Sequence, residues 1–274
     1  MRSDRTVQGE GMIISTSSAG IRVRERLLGT RAALDRDAAA WGVSAGVARS
    51  IFVLPLVVAV LVAASIPWRE AFLFFVEEDH LLEWLQVGMV VGIAGSAAIL
   101  ALQLFSMGQR TLGLVYVLRA VAAVFIAGEE ISWGQRVFGW ATPDELAALN
   151  RQGETNIHNV GNVLKAFNLV MLIISAVAVV LPIARIRRVG HRPMSVEEMA
   201  LIPPLFVASG FALAFAYRAV RFTLIPEGRF VVTHFQEVTE SAFYLSDLVF
   251  LVLVVRRLRE RRRSTVDALA SAEG

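Results

Sequence analysis

The chain contains no cysteine, so disulfides, thiolate metal sites and a cysteine nucleophile are all excluded, whatever its redox compartment. Charge is also scarce. Asp, Glu, Lys and Arg make up 19% of the 274 residues, below the quarter or so of an ordinary soluble domain. No internal repeat is visible, so a transporter built from inverted halves has no support. An HExxH helix, a phosphate-cradling glycine loop and a GxSxG elbow are all missing. The apolar patch Met12-Ile13-Ile14 is too brief for a secretory core, and targeting is expected to rest on the first membrane span.

What is abundant is apolar sequence: 55% hydrophobic residues and a mean hydropathy of +0.58. At about 20 residues per crossing, the runs Ser50 to Pro67, Leu81 to Phe105, Leu112 to Gly128, Val163 to Ala184, Met199 to Tyr217 and Phe235 to Val255 predict six helices. The fold class is therefore all-α, a polytopic membrane bundle. A polar segment over 1–49 precedes a transmembrane domain over 50–256 and a basic tail over 257–274. Residues 21–40 alternate in charge and read as a helix lying on the membrane surface or as a free tail.

The net charge of +3 comes from arginines beside the apolar runs, which report orientation and give no support to a nucleic-acid partner. Arg36 and Arg49, Arg110, the group Arg185 to Arg192 and the series Arg256 to Arg263 all fall on one side, which the positive-inside rule makes cytoplasmic. Both termini then lie inside a bacterial inner membrane. Arg218, Arg221 and Arg229 are a minority in the last outer loop. Trp68, Trp84, Trp133 and Trp140 fall at the outer interface, and Trp41 at the inner one. In the third loop, Thr142-Pro143-Asp144-Glu145 predicts a short interfacial helix with Thr142 as its N-cap, running to about Asn150.

Ionisable residues at the outer ends of the spans are costly in lipid and mark a site. Glu77-Glu78-Asp79-His80 with Glu83, the pair Glu129-Glu130, and His234 with Glu237 and Glu240 share that side. His80 and Glu83, like His234 and Glu237, are three residues apart, which sets imidazole beside carboxylate on one helical face. These four are candidate ligands for a divalent metal, Zn, Fe or Mn. Glu130 is the candidate acid or base, with Glu129 beside it and His158 closing the site from the third loop. The alternative is that these groups are solvated at the interface; this is the favoured reading for Glu77, Glu78 and Asp79. Arg119, Glu240 and Asp247 continue a polar track into the membrane, and an Arg119–Asp247 ion pair is expected there, as a lock or as part of a proton path.

The stretches GEEISWGQR (from Gly128) and NRQGETNIHN (to Asn159), with DHLLEWLQ from Asp79 to Gln86, resemble uncharacterised bacterial multi-pass membrane proteins; that resemblance brings no activity with it. A second, distant likeness is to the intramembrane metalloproteases that process prenylated proteins, through Glu129-Glu130 with Arg136, Phe230 to His234 as FxxxH and His158 to Asn162 as HxxxN. The motifs stand in a different order here, and the arginine follows after five residues in place of three. Alkaline ceramidases are similar in holding zinc by scattered His and acidic residues within a bundle. Together these readings predict a membrane enzyme, a hydrolase or transferase acting on a lipid or lipid-linked substrate. The alternatives are a proton-coupled transporter and a scaffold subunit.

Overall fold

A computed structural model describes residues 29–77, 81–150, 153–157, 160–190, 192–224 and 229–272. Among these the architecture is all-α, the one β feature being an isolated bridge between Asn150 and Val160. Six segments are long and apolar enough to cross a membrane. They are formed by α2 (Ala45–Ser65), α3 and α4 (Arg69–Val76, Leu81–Ser106), α5 (Arg110–Glu130), α8 (Gly161–Val189), α9 and α10 (Val196–Leu201, Ala208–Thr223), and α11 and α12 (Phe230–His234, Gln236–Ala272). Helix α1 covers residues 29–40, and α6 (Gln135–Phe138) and α7 (Asp144–Ala147) belong to the loop after α5.

Helix α12 is the axis. Its apolar window is 78% buried, against 22% for α2 and 28% for α5 and α8, and α4, α10 and α2 pack around it. Helix α5 leans on α4, and α8 leans on α10. Where α10 meets α12 the backbones nearly touch: a Cβ at Gly210 would run into the Ala242 carbonyl and the Ser246 hydroxyl. Only glycine permits that approach.

Four expectations change. Over the described residues 29–40 the segment is not a free tail but a helix held against the bundle, with Leu34, Ala38 and the following Trp41 buried in the core. Trp41 meets Phe250 edge-on, with 6.3 Å between ring centroids, so it is a packing residue and not an interfacial anchor. Arg256 and Arg257 of α12 donate to the carbonyls of Gly42 and Ala40 (3.1 and 2.8 Å), satisfying acceptors that the end of α1 leaves open. The fifth span is broken: Ile202 is extended ahead of Pro203, and Pro204 leads into a short 3-10 turn, Leu205–Val207. Finally, α10 runs on to Thr223 and carries Arg218 inside the bundle, not in an outer loop.

The break exposes the Leu205 N–H, and Asp37 of α1 accepts it at 2.6 Å. Burial pushes the Asp37 carboxyl up to about 6, against the opposing pull of the Leu205 N–H and the Arg185 charge. An acid whose folded value exceeds its unfolded one stabilises the fold fully below the unfolded value, near 4, and loses that contribution as pH rises through 6. We expect wild-type stability to fall by about 3 kcal/mol more than that of Asp37→Asn across this window. Parallel denaturant titrations of the two proteins between those pH values would measure it; equal slopes would refute it.

Candidate functional site

The acidic end of the bundle opens into a cavity of about 1210 Å³ between α5 and α8, with α12 behind it. Its walls are apolar: Leu118, Val121 and Phe125 from α5 face Phe167, Val170 and Ile174 from α8. Leu118 is 69% exposed and Val170 52%, which is how side chains lining a lateral opening toward lipid would sit. Most of the polar groups gather on α12 and at the adjoining ends of α4 and α5. Glu83, Arg119, Glu129, Glu130, His234, Glu237, Glu240 and Asp247 all line this one space, and so does Glu77. Every member of the three acidic clusters that the structure describes lines this cavity. His80 and His158, like Glu78 and Asp79, lie outside the described residues.

The helices explain the placement. Glu237, Glu240, Tyr244 and Asp247 recur at three- and four-residue steps on α12, so they form one stripe, and all face the cavity. From Glu237 to Asp247 the stripe descends about 15 Å at the helical rise. At its foot Arg119 pairs with Asp247 as expected, and the guanidinium also lies 5.7 Å from the Tyr116 ring and 5.9 Å from the Phe250 ring. Higher up, the Tyr244 hydroxyl reaches Glu130 at 3.4 Å. Glu237 lies within electrostatic range of Glu240, Glu130 and Glu83.

Three residues not expected in the site complete this end. Arg218, with none of its surface exposed, donates to Glu240 at 2.8 Å, and Gln236 donates to the same oxygen at 2.9 Å. Gln86, equally buried, uses its Nε2 for the Glu237 carboxylate (3.0 Å), the Glu237 carbonyl (2.9 Å) and the Ser241 hydroxyl (3.1 Å). Gln86 stands three residues from Glu83 in an apolar run, a spacing that places it on the same face and was the available signal. Arg218 carried a weaker one, a cation one residue beyond the apparent end of an apolar run.

Glu129 has a different role from Glu130. One carboxylate oxygen accepts the Trp133 indole N–H at 2.6 Å and the other the Ile157 backbone N–H at 2.7 Å, so Glu129 ties both arms of the third loop to the end of α5. The turn it holds is tight, with Ser132 and Trp133 at φ of 47° and 53°, a region side chains seldom occupy. Glu154 accepts from Ser132 (2.9 Å) and Asn156 (2.8 Å), and Asn156 in turn takes two bonds of 2.7 Å from Asn150. Thr142 is not an N-cap. Its hydroxyl serves Gln135 at 2.8 Å and lies 3.2 Å from Thr155, and the helix begins after Pro143 and ends at Ala147. The loop is a hydrogen-bonded hood, and Ile157 lines the cavity beneath it.

His234 and Glu237 both face the cavity, but not from one continuous helix, because the chain turns at Phe235 between α11 and α12. The His234 Nδ1 stands 2.8 Å from the Phe230 carbonyl. A carbonyl only accepts, so Nδ1 carries the proton and Nε2 is the atom available to a ligand. Among the described residues no group of three or more His, Asp or Glu side chains is arranged to hold a metal ion. No known protein family, curated protein or solved structure matches the chain.

Proposed function

We propose that the chain is an inner-membrane enzyme, with both termini cytoplasmic, that admits a lipid or lipid-linked substrate sideways between α5 and α8. It transforms the polar end of that substrate as a hydrolase or transferase. The observation that carries this reading is the amphipathic cavity: apolar walls for chains and a carboxylate stripe for a head group, the layout of a ligand site with few, placed polar groups. Glu130 and Glu237 would act as acid and base, with the Tyr244 hydroxyl positioning Glu130. Glu129 and the hood would exclude water from that end. A divalent metal would enter only through His80 joining Glu83, His234 and Glu237, with its bound water as the nucleophile.

The Arg119–Asp247 pair at the foot of the stripe favours a second reading, a proton path through the bundle serving transport. Incubating the purified protein in nanodiscs with a lipid extract and following lipid species by mass spectrometry separates the two. The enzyme reading expects consumption by the wild type, lost in Glu130→Gln and Glu237→Gln. Unchanged lipids, together with uptake that follows a pH gradient in proteoliposomes, would replace it with transport. Neither lipid consumption nor uptake by the wild type would leave a scaffold.

A further inference from the structure

The apolar run of α12 ends at Val255, yet the helix continues to Ala272. Val252 is 50% exposed on a span that is otherwise largely buried, so it marks the face turned to lipid. Arg256, Arg259 and Arg263 stand four, seven and eleven residues further on, which keeps them on that same face. At the helical rise Arg259 lies about 6 Å past Val255, inside the layer of about 5–8 Å that head groups add to each side of a bilayer. Helix α8 repeats the pattern: Val177 and Val180 are exposed, with Arg188 eleven residues past the first and Arg187 seven past the second.

The two helix ends meet on one loop. Arg185 of α8 donates to the Arg192 carbonyl and Arg261 of α12 to the Met194 carbonyl, and two residues span at most about 7 Å. Several arginines here are used up as braces: Arg256 and Arg257 serve Glu260 and the carbonyls of Gly42 and Ala40, and Arg192 serves Glu198. By contrast Arg187, Arg188, Arg259 and Arg263 are exposed and, among the described residues, have no hydrogen bond or ion pair. Glu198 and Glu260 are taken by the braces, and Asp267, one turn past Arg263, is exposed and joined to it by no described bond. Four guanidiniums are thus left on lipid-facing stripes near head-group depth, and a guanidinium fits a phosphate with two parallel N–H bonds. We propose that this end of the bundle, remote from the carboxylate stripe, binds the phosphodiester head groups of anionic phospholipids through these four arginines. A zwitterionic head brings the same phosphate but offsets it with its own ammonium, so the anionic lipid is preferred.

The test offers the full chain in detergent equal amounts of dioleoylphosphatidylglycerol and dioleoylphosphatidylcholine, and counts the retained lipid by native mass spectrometry. Phosphatidylglycerol should be retained at least about tenfold over phosphatidylcholine, the order of what two arginines near an anionic surface contribute. The variant Arg187→Gln, Arg188→Gln, Arg259→Gln, Arg263→Gln should abolish the preference and leave thermal unfolding unchanged, because none of the four braces another group. Should it not fold, the α8 pair and the α12 pair changed separately should each lower the preference. Equal retention of the two lipids by the wild type, or a preference that survives these substitutions, would overturn the proposal. So would displacement of the bound lipid by millimolar glycerol phosphate, which would make this a site for a free anion. None of these outcomes bears on the cavity between α5 and α8, so the two readings stand or fall separately.

Discussion

Replacing Arg218 by leucine is expected to destabilise the protein by about 3–5 kcal/mol, the usual result of removing one partner of a buried ion pair. The guanidinium is fully enclosed, and its partner Glu240 is 5% exposed. Without Arg218, Glu240 would keep only the 2.9 Å bond from Gln236 as a described donor contact on that oxygen. The double variant Arg218→Leu, Glu240→Leu removes both charges and should recover most of the loss, because a desolvated pair is worth little more than well-packed apolar groups of similar size. Thermal unfolding in detergent of the two single variants and the double variant measures this. A double variant as unstable as Arg218→Leu would show that packing of the long side chain, and not charge compensation, is what α10 and α12 depend on.

Neutralising the acid–base candidates should cost activity far more than stability. Glu237→Gln keeps a side chain that accepts from Gln86, and Glu130→Gln keeps one that accepts from Tyr244, so each local contact has a replacement. Positioned acid or base groups typically contribute about a hundredfold to ten-thousandfold in rate, and a loss of that order in lipid turnover is expected for each variant. Glu129→Gln should behave differently. An amide has a single acceptor oxygen for the two N–H groups that the carboxylate serves at 2.6 and 2.7 Å, so the hood should loosen and thermal stability fall together with turnover. Wild-type turnover in Glu130→Gln and Glu237→Gln would remove both from the chemistry.

The six crossings were legible because lipid imposes a length and composition that few other structures need. The Arg119–Asp247 pair was legible for a related reason: a charge in mid-span must find a partner, and one apolar run offered it. What escaped the sequence depends on which surfaces meet. Trp41 reads equally well as an interfacial anchor or a core residue until α1 is seen packed against Phe250. The role of Thr142 was misjudged because a capping pattern competes with longer-range partners, and Gln135 and Thr155 won the hydroxyl. Glu129 and Glu130 are adjacent and chemically identical in sequence. Only the course of the loop, which brings Trp133 and Ile157 back over α5, separates a brace from a candidate acid.

The central claim is that a lipid chain occupies the space between α5 and α8, with its head at the carboxylate stripe. A photoreactive fatty-chain lipid, activated in the membrane and mapped by peptide mass spectrometry, tests it most directly. Crosslinks concentrated on Leu118, Val121, Phe167 and Val170, and suppressed when Ala122→Trp fills the cavity, are the predicted result. Crosslinks spread instead over outward-facing positions such as Val60 and Leu102, which are 67% and 71% exposed, and unaffected by that substitution, would contradict it.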